Sequence, residues 1–298
     1  MALDKTKHDV NRSTTGIALP ETVSAEVIQG ITENSAVMQL ARNEVIPGTG
    51  VSINVITGDP VPEWADETEE QAVKTPTFSK IKMTPHKLSV IVPFSKEFQR
   101  DSDALYSAVV SRVPAALAKA FDSTVFGFTA SPGADFAQLT NASKVDIQKD
   151  TYTALVTAKT GIATAGGNAN GFIFAPQASP ILLSAVDANK RPLFIDNMNE
   201  QGDVSRVLGI NALYRHAAYK KGSSAANNIG FVGDWSKAIV GMVKDITVEY
   251  ADQATINDGT KQINLWQRDM FALKCSMECG FVIEDAKYFT ALTDTYSG

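Results

Sequence analysis

Residues 51–95 read VSINVITGDPVPEWADETEEQAVKTPTFSKIKMTPHKLSVIVPFS. In the opening run Val51, Ile53 and Val55 fall on one face, and in the return Ile81 and Met83 alternate with Lys80, Lys82 and Thr84. Both runs carry the two-residue period of half-buried strands. The stretch between them is too rich in proline and carboxylates to continue a ladder. It nevertheless holds Trp64 and Phe78, which an isolated solvent-exposed loop has little reason to keep. The pattern predicts an extended hairpin. A two-stranded ribbon is marginal by itself in water, so the hairpin in turn predicts a neighbour, most economically another copy of the same chain. Beyond Pro85 and His86 the apolar parity shifts to Leu88, Val90, Val92 and Phe94, which predicts a bulge or bend at that point.

Working outward, residues 1–19 are polar and read as an arm, and Pro20 opens a helical spacing through Val23, Val27, Ile31 and Met38. Residues 102–127 hold the strongest helix, with Leu105, Val109, Val113, Leu117 and Phe121 at four-residue steps and Ser102 or Asp103 as the cap. Pro114 interrupts that stripe. An interior proline costs about 3 kcal/mol, so a bend or a local loss of backbone bonding is expected, with packing offsetting the cost. Residues 127–143 read as a loop and 145–164 as a second helix. GGNANG (166–171) then punctuates before the buried strand FIFAP (172–176). From there to about Val243 strands and a helix alternate, as in a compact α/β unit. Residues 246–253 pair with 264–279 around an Asp258-Gly259 turn, and 281–292 close the chain.

Composition excludes several classes. A net charge of −6, from 27 basic and 33 acidic residues, leaves no basic footprint for tight nucleic-acid binding. Cys275 and Cys279 are the only cysteines, which excludes a disulfide framework and suits a reducing cytosol. No signal-peptide core is evident, and no run approaches the ~18 apolar residues of a membrane span.

Catalytic chemistry finds no constellation. His8, His86 and His216 are scattered over an arm, a bend and a strand, and no triad can be assembled from them. Cys275 and Cys279 share one strand face without companion ligands, so buried thiols are expected in place of zinc ligands. GGNANG lacks both the dinucleotide spacing and the phosphate-loop lysine, and reads as a hinge. The acidic tip residues Glu63, Asp66, Glu67, Glu69 and Glu70 read as a solvated or partner-facing charge run. The expectation is therefore no catalytic residue, no cofactor and no metal. The candidate inter-subunit contacts are Trp64, Glu67, Glu69, Glu70, Lys74 and Phe78.

Four segments, in order, resemble a known family: residues 62–102, 172–194 (FIFAPQASPILLSAVDANKRPLF), 207–219 (VLGINALYRHAAY) and 232–252 (VGDWSKAIVGMVKDITVEYAD). Trp64, Phe78, Lys87, Leu88, Ser95, Asp101, Gly209, Gly233, Asp234 and Trp235 carry the match. The chain resembles, over about residues 19–293, the major capsid proteins of tailed bacteriophages with the Hong Kong 97-type fold. The resemblance implies an α+β subunit with a peripheral domain (long spine helix plus antiparallel sheet), an axial α/β domain, an extended β-hairpin loop and an N-terminal arm. It places the arm at 1–19, the start of the peripheral domain at 20–50 and the extended loop at 51–95. The peripheral domain then continues with its spine helix at 96–160, the axial domain occupies 161–245, and the C-terminal peripheral strands fill 246–298.

The resemblance further implies a non-enzymatic shell protein that self-assembles as hexamers and pentamers into an icosahedral shell enclosing double-stranded DNA, which it contacts weakly. Assembly in the host cytoplasm, a separate scaffolding protein, a portal and a decoration protein complete the implied setting, with no membrane. An encapsulin-like compartment is the alternative of the same fold, against which residues 1–19 show no amphipathic helix for docking cargo. A soluble α/β enzyme is the distant one, and no nucleophile elbow supports it. Two features depart from the family pattern. The chain has a short polar arm where relatives often carry a coiled-coil scaffolding segment. The positions that would hold the acceptor asparagine and the glutamate of a covalent weld are Asp269 and Ser276. Lys74 and Lys80 remain as nucleophiles, with Asn257 and Asn264 near the acceptor position, and the expectation is a shell without covalent links.

Overall fold

The computed structural model describes residues 34–58, 60–64, 73–97, 103–187, 189–194, 204–222, 226–243, 247–257 and 262–295. The arm at 1–19, the helix predicted from Pro20 to residue 33, and the Asp258-Gly259 turn lie outside them. The helices are α1 (Ala36–Leu40), α2 (Asp103–Val125), α3 (Thr151–Thr164) and α4 (Ser179–Leu183). The strands are β1 (Arg42–Val45), β2 (Val51–Gly58), β3 (Thr77–Met83), β4 (His86–Ser95), β5 (Ser143–Asp146), β6 (Gly171–Phe174), β7 (Arg206–Val207), β8 (Ile210–Tyr214), β9 (Asn227–Gly233), β10 (Ala238–Met242), β11 (Thr247–Ala251), β12 (Thr255–Asn257), β13 (Gln262–Asn264), β14 (Met270–Ile283) and β15 (Phe289–Asp294).

Two compact units emerge. One draws on Met1–Gln39, Lys87–Asp122 and Asp245–Glu278, the other on Leu40–His86, Ser123–Lys244 and Cys279–Gly298. In the first unit β11 runs antiparallel to β14, with Thr247 opposite Ser276 and Ala251 opposite Ala272. This is the pairing that the alternation of 246–253 against 264–279 predicts. β4 also pairs with β14, and Phe94, Phe271 and Leu273 form the core between them with Val92 and Tyr250. The Phe94 and Tyr250 rings lie 5.5 and 5.1 Å from that of Phe271, within the range of favourable aromatic pairs.

Helix α2 runs from Asp103 to Val125 with Pro114 inside it. Proline removes only one backbone donor, and here the ring is buried, so packing offsets the lost bond. Leu117 and Phe121 of the predicted stripe are buried. On the same helix Asp122 is also buried, its carboxylate accepting from Ser35 Oγ at 2.5 Å and from the Ala36 backbone N–H at 2.9 Å. Those two bonds satisfy donors at the start of α1, which would otherwise be buried without partners.

The second unit is built on a six-stranded mixed sheet in the order β5-β15-β9-β6-β8-β7. α3 covers one face, placing Leu155, Ala158 and Ile162 against Phe172, Phe174, Val232 and Leu292. The helix starts later than its predicted bound of 145. Asp150 caps it by accepting from the Thr153 N–H, while Ser143–Asp146, read as loop and helix, is a strand parallel to β15. A four-residue strand whose partner lies at the other end of the chain leaves no local signal. The closing stretch 281–292 likewise divides between two sheets, with Phe281–Ile283 ending β14 and Phe289 entering β15.

The shift of parity after Pro85 is a change of sheet. β3 pairs with β2 in register, Val51 opposite Met83 and Ile53 opposite Ile81, whereas β4 leaves for β14. Burial along β3 rises from exposed at Thr77 to fully buried at Met83, so the hairpin is anchored at its base. Ile46, Met83 and Val282 form that anchor, with Val51, Ile53, Ile81 and Ile239 packed against it. Gly241 and Gly280 face one another across β10 and β14. A Cβ at either would stand 2.7–2.8 Å from Met83 side-chain atoms, so the two glycines make the seat on which the hairpin rests.

Candidate assembly interface

The distal half of the hairpin differs from its base. Trp64 is 104% exposed and Phe78 66%, and Val61 and Val73 stand out in solvent beside them. Phe78 sits opposite Ile56, just before the register shifts at Gly58. Lys74 bridges to Glu63 at 2.8 Å, an exposed pair of small stabilising value that holds the two approaches to the tip together. The structure thus brings Trp64, Lys74 and Phe78 into one arm. Glu67, Glu69 and Glu70 lie outside the described residues. A fully exposed tryptophan with further exposed apolar side chains near it makes this arm the candidate contact surface.

Ion pairs lie around the base. Lys237, the last residue of the 3-10 turn before β10, donates to Glu284 at 2.8 Å, and that bond raises its pKa against the opposing effect of burial. Lys82 on β3 reaches Asp135, in the loop after α2, at 3.1 Å. The other sequence candidates fall into structural places. His86 packs edge-on against Phe136, 6.1 Å between ring centres, with Thr84 Oγ1 3.4 Å from its Nε2. His216 opens a short 3-10 turn, and His8 lies outside the described residues. Cys275 and Cys279 are buried and free, and burial pushes the Cys279 thiol up to about 12. Among the described residues no group of three metal-ligating side chains gathers, and no helix is long and apolar enough to cross a membrane.

The two positions matched to a covalent weld are not alike. Asp269 ends the 3-10 turn Trp266–Arg268 in the left-handed conformation, φ 49°, and is exposed. Ser276 is buried in β14 opposite Thr247. Asn264 accepts from the Gln267 N–H, which makes it part of that turn. Sequence reasoning missed Trp266, 67% exposed beside the turn; its WQRD context reads as an ordinary strand lead-in.

The Gly-Asp-Trp segment proves to be a structural knot. Asp234 is buried and accepts from the Asn168 N–H at 2.9 Å and from the Ser236 N–H and Oγ, the latter at 2.5 Å. Trp235 donates its indole N–H to the Gly171 carbonyl, and its ring meets Phe289 edge-on. Asp234 thereby fastens GGNANG, read as a hinge, onto β9.

The phage capsid family matches residues 15–294. The chain belongs to that family. It is 28% identical over 276 residues to the probable major capsid protein gp17 of Mycobacterium phage D29, covering 89% of this chain and 86% of that protein. It is 25% identical over 278 residues to the major capsid protein of Staphylococcus phage 80alpha, covering 89% and 82%. Among solved structures, that of Gordonia phage Cozz superposes with a TM-score of 0.74 at 20% identity, covering 89% of this chain and 87% of that one. The capsid of an empty GTA particle does so at 0.62 and 16%, covering 88% and 90%. The mixed helix-and-sheet fold is therefore that of phage capsid proteins. The chain is a major capsid protein of the tailed-phage kind, a structural component of the virion and not an enzyme.

Proposed function

We propose that copies of this chain, in the Hong Kong 97-type arrangement expected from its sequence, associate as hexamers and pentamers that close into an icosahedral shell around a double-stranded DNA genome. The observation that carries this reading is the hairpin: rooted on Met83 at one end, and at the other presenting Trp64 and Phe78 with no cover in their own subunit. Such an arm makes a heterologous contact, in which one surface of a copy meets a different surface of the next, and repetition of that contact generates closed assemblies. The acidic balance of the chain suits a container from which DNA must later leave, since few counterions are released on contact. Trp64, Glu67, Glu69, Glu70, Lys74 and Phe78 are the contacts we assign to the arm. A separate scaffolding protein, a portal and a decoration protein are the further partners of this reading, with assembly in the host cytoplasm. Sedimentation and electron microscopy of the chain, expressed alone and with its neighbouring genes, test it. Capsomers and closed shells are the expected result, and a stable monomer under every condition would overturn it.

A further inference from the structure

A groove of about 770 Å³ opens in the second unit on the side of the six-stranded sheet opposite α3. Strand alternation puts it there: Lys144, Ala291 and Phe231 are neighbours across β5, β15 and β9, whereas the intervening Val145, Leu292 and Val232 face the α3 core. The floor is aromatic. Phe126 stacks on Phe231 with ring centres 4.6 Å apart and planes 11° apart, and the half-buried Phe128 flanks both. Lys144, Lys220 and Lys221 line the rim, and the lining contains no carboxylate. Lys220 holds its ammonium 5.4 Å above the Phe128 ring and donates to the Phe128 carbonyl at 3.4 Å. None of the three lysines forms an ion pair among the described residues. In a chain of net charge −6, this is a concentrated cationic site over an apolar floor.

We propose that this groove receives the acidic hairpin tip, residues 63–70 (EWADETEE), of a second copy of the chain. The proposal rests on the reading that the hairpin is an assembly arm, and adds the surface that receives it. The complementarity is double. Asp66, Glu67, Glu69 and Glu70 supply the carboxylates that the lysine rim lacks, and Trp64, exposed in its own subunit, supplies a ring for the Phe128 side of the floor. The Lys220 ammonium can then lie between two aromatic faces, an arrangement strengthened as water leaves. A double helix meets a groove of this size only through phosphates and leaves the aromatic floor unused, so an acidic peptide carrying an aromatic anchor is the better fit.

Two experiments decide it. A labelled peptide of residues 59–74 is titrated into the full-length protein and followed by fluorescence anisotropy. Saturable binding is expected, weakening with salt and falling by roughly tenfold or more in a Lys144→Glu/Lys220→Glu variant or when the peptide carries Trp64→Ala. Equal binding of a scrambled peptide would overturn the proposal, as would a duplex oligonucleotide that displaces the peptide at lower concentration than unlabelled peptide does. In the second experiment the Lys144→Glu/Lys220→Glu chain is expected to lose particle formation and to regain it when Glu67→Lys and Glu69→Lys are added. Wild-type particles matched by equally abundant and stable charge-reversed particles would overturn the groove alone. Absence of particles from wild-type chain would count against the shell reading, and the peptide titration would still judge the groove.

Discussion

Replacing Trp64 by alanine separates the stability of the subunit from the stability of the assembly. The whole side chain is exposed in the isolated subunit, so its removal takes no packing from the fold, and the free energy of unfolding should change by less than about 0.5 kcal/mol. In a shell the outcome differs. Covering about 200 Å² of an aromatic side chain at ~25 cal/mol/Å² is worth about 5 kcal/mol gross. Ordering the tip reduces that to roughly 2–4 kcal/mol per contact, in the range of interface hot spots. Even ~2 kcal/mol weakens each contact about thirtyfold, and in the proposed shell every subunit donates one hairpin. Denaturant unfolding followed by circular dichroism measures the first quantity. Particle yield by sedimentation, with the thermal disruption profile of any particles formed, measures the second. Trp64→Phe should recover part of the loss, since it keeps an aromatic ring of smaller area. Normal yield with an unchanged disruption profile, or unfolding of the subunit itself, would refute the reasoning.

Asp234→Ala should destabilise the subunit by about 2–4 kcal/mol, because it leaves the Asn168 and Ser236 N–H donors without their acceptor. Asp234→Asn, which keeps one oxygen, should lose less, and chemical denaturation distinguishes the two. Boiling assembled particles in detergent should release one band at 31.9 kDa, since Asp269 presents a carboxylate where a weld needs an amide; a ladder of multimers would point to Asn257 or Asn264 instead. Cys279 should resist thiol reagents at pH 8 until the chain unfolds. Its folded pKa of about 12 lies above its ordinary value of 9.0, so its contribution to stability is full below pH 9 and is lost as pH rises toward 12. Cys279→Ala should therefore show a shallower alkaline loss in denaturation curves taken across that window.

The hairpin was legible because two independent signals coincide in it, a period of two in the flanking runs and apolar side chains stranded in a polar tip. The parity shift at Pro85 was legible for the same reason, since leaving one sheet for another resets which face is buried. Pro114 lies inside a helix whose Leu117 and Phe121 are buried, as the reading that packing offsets the cost of an interior proline expects. β5 was illegible in principle: four residues whose partner, β15, stands at the far end of the chain carry no local pattern. The candidate interface divides likewise. Trp64, Phe78 and Lys74 announce themselves within a single stretch. The lysine rim is assembled from β5 and from the segment before β9, so only the fold brings its charges together.

The division of the hairpin into a buried base and an uncovered tip has a thermodynamic consequence for assembly. A tip that packed against its own subunit would have to give up those contacts before making new ones, and only the difference between the two sets would drive association. Here Met83 on its glycine seat fixes the arm without using Trp64 or Phe78, so the subunit folds without spending the surface it later presents. The burial of that surface is then available in full to the contact between copies, reduced only by the ordering of the tip. An acidic tip adds a second control, because like charges keep free arms of different copies apart until an oppositely charged surface is met. Contacts of a few kcal/mol each, repeated around the proposed shell in which every subunit would be both donor and receiver, would sum to a particle far more stable than any single contact, while each would remain weak enough for a misplaced subunit to leave before closure.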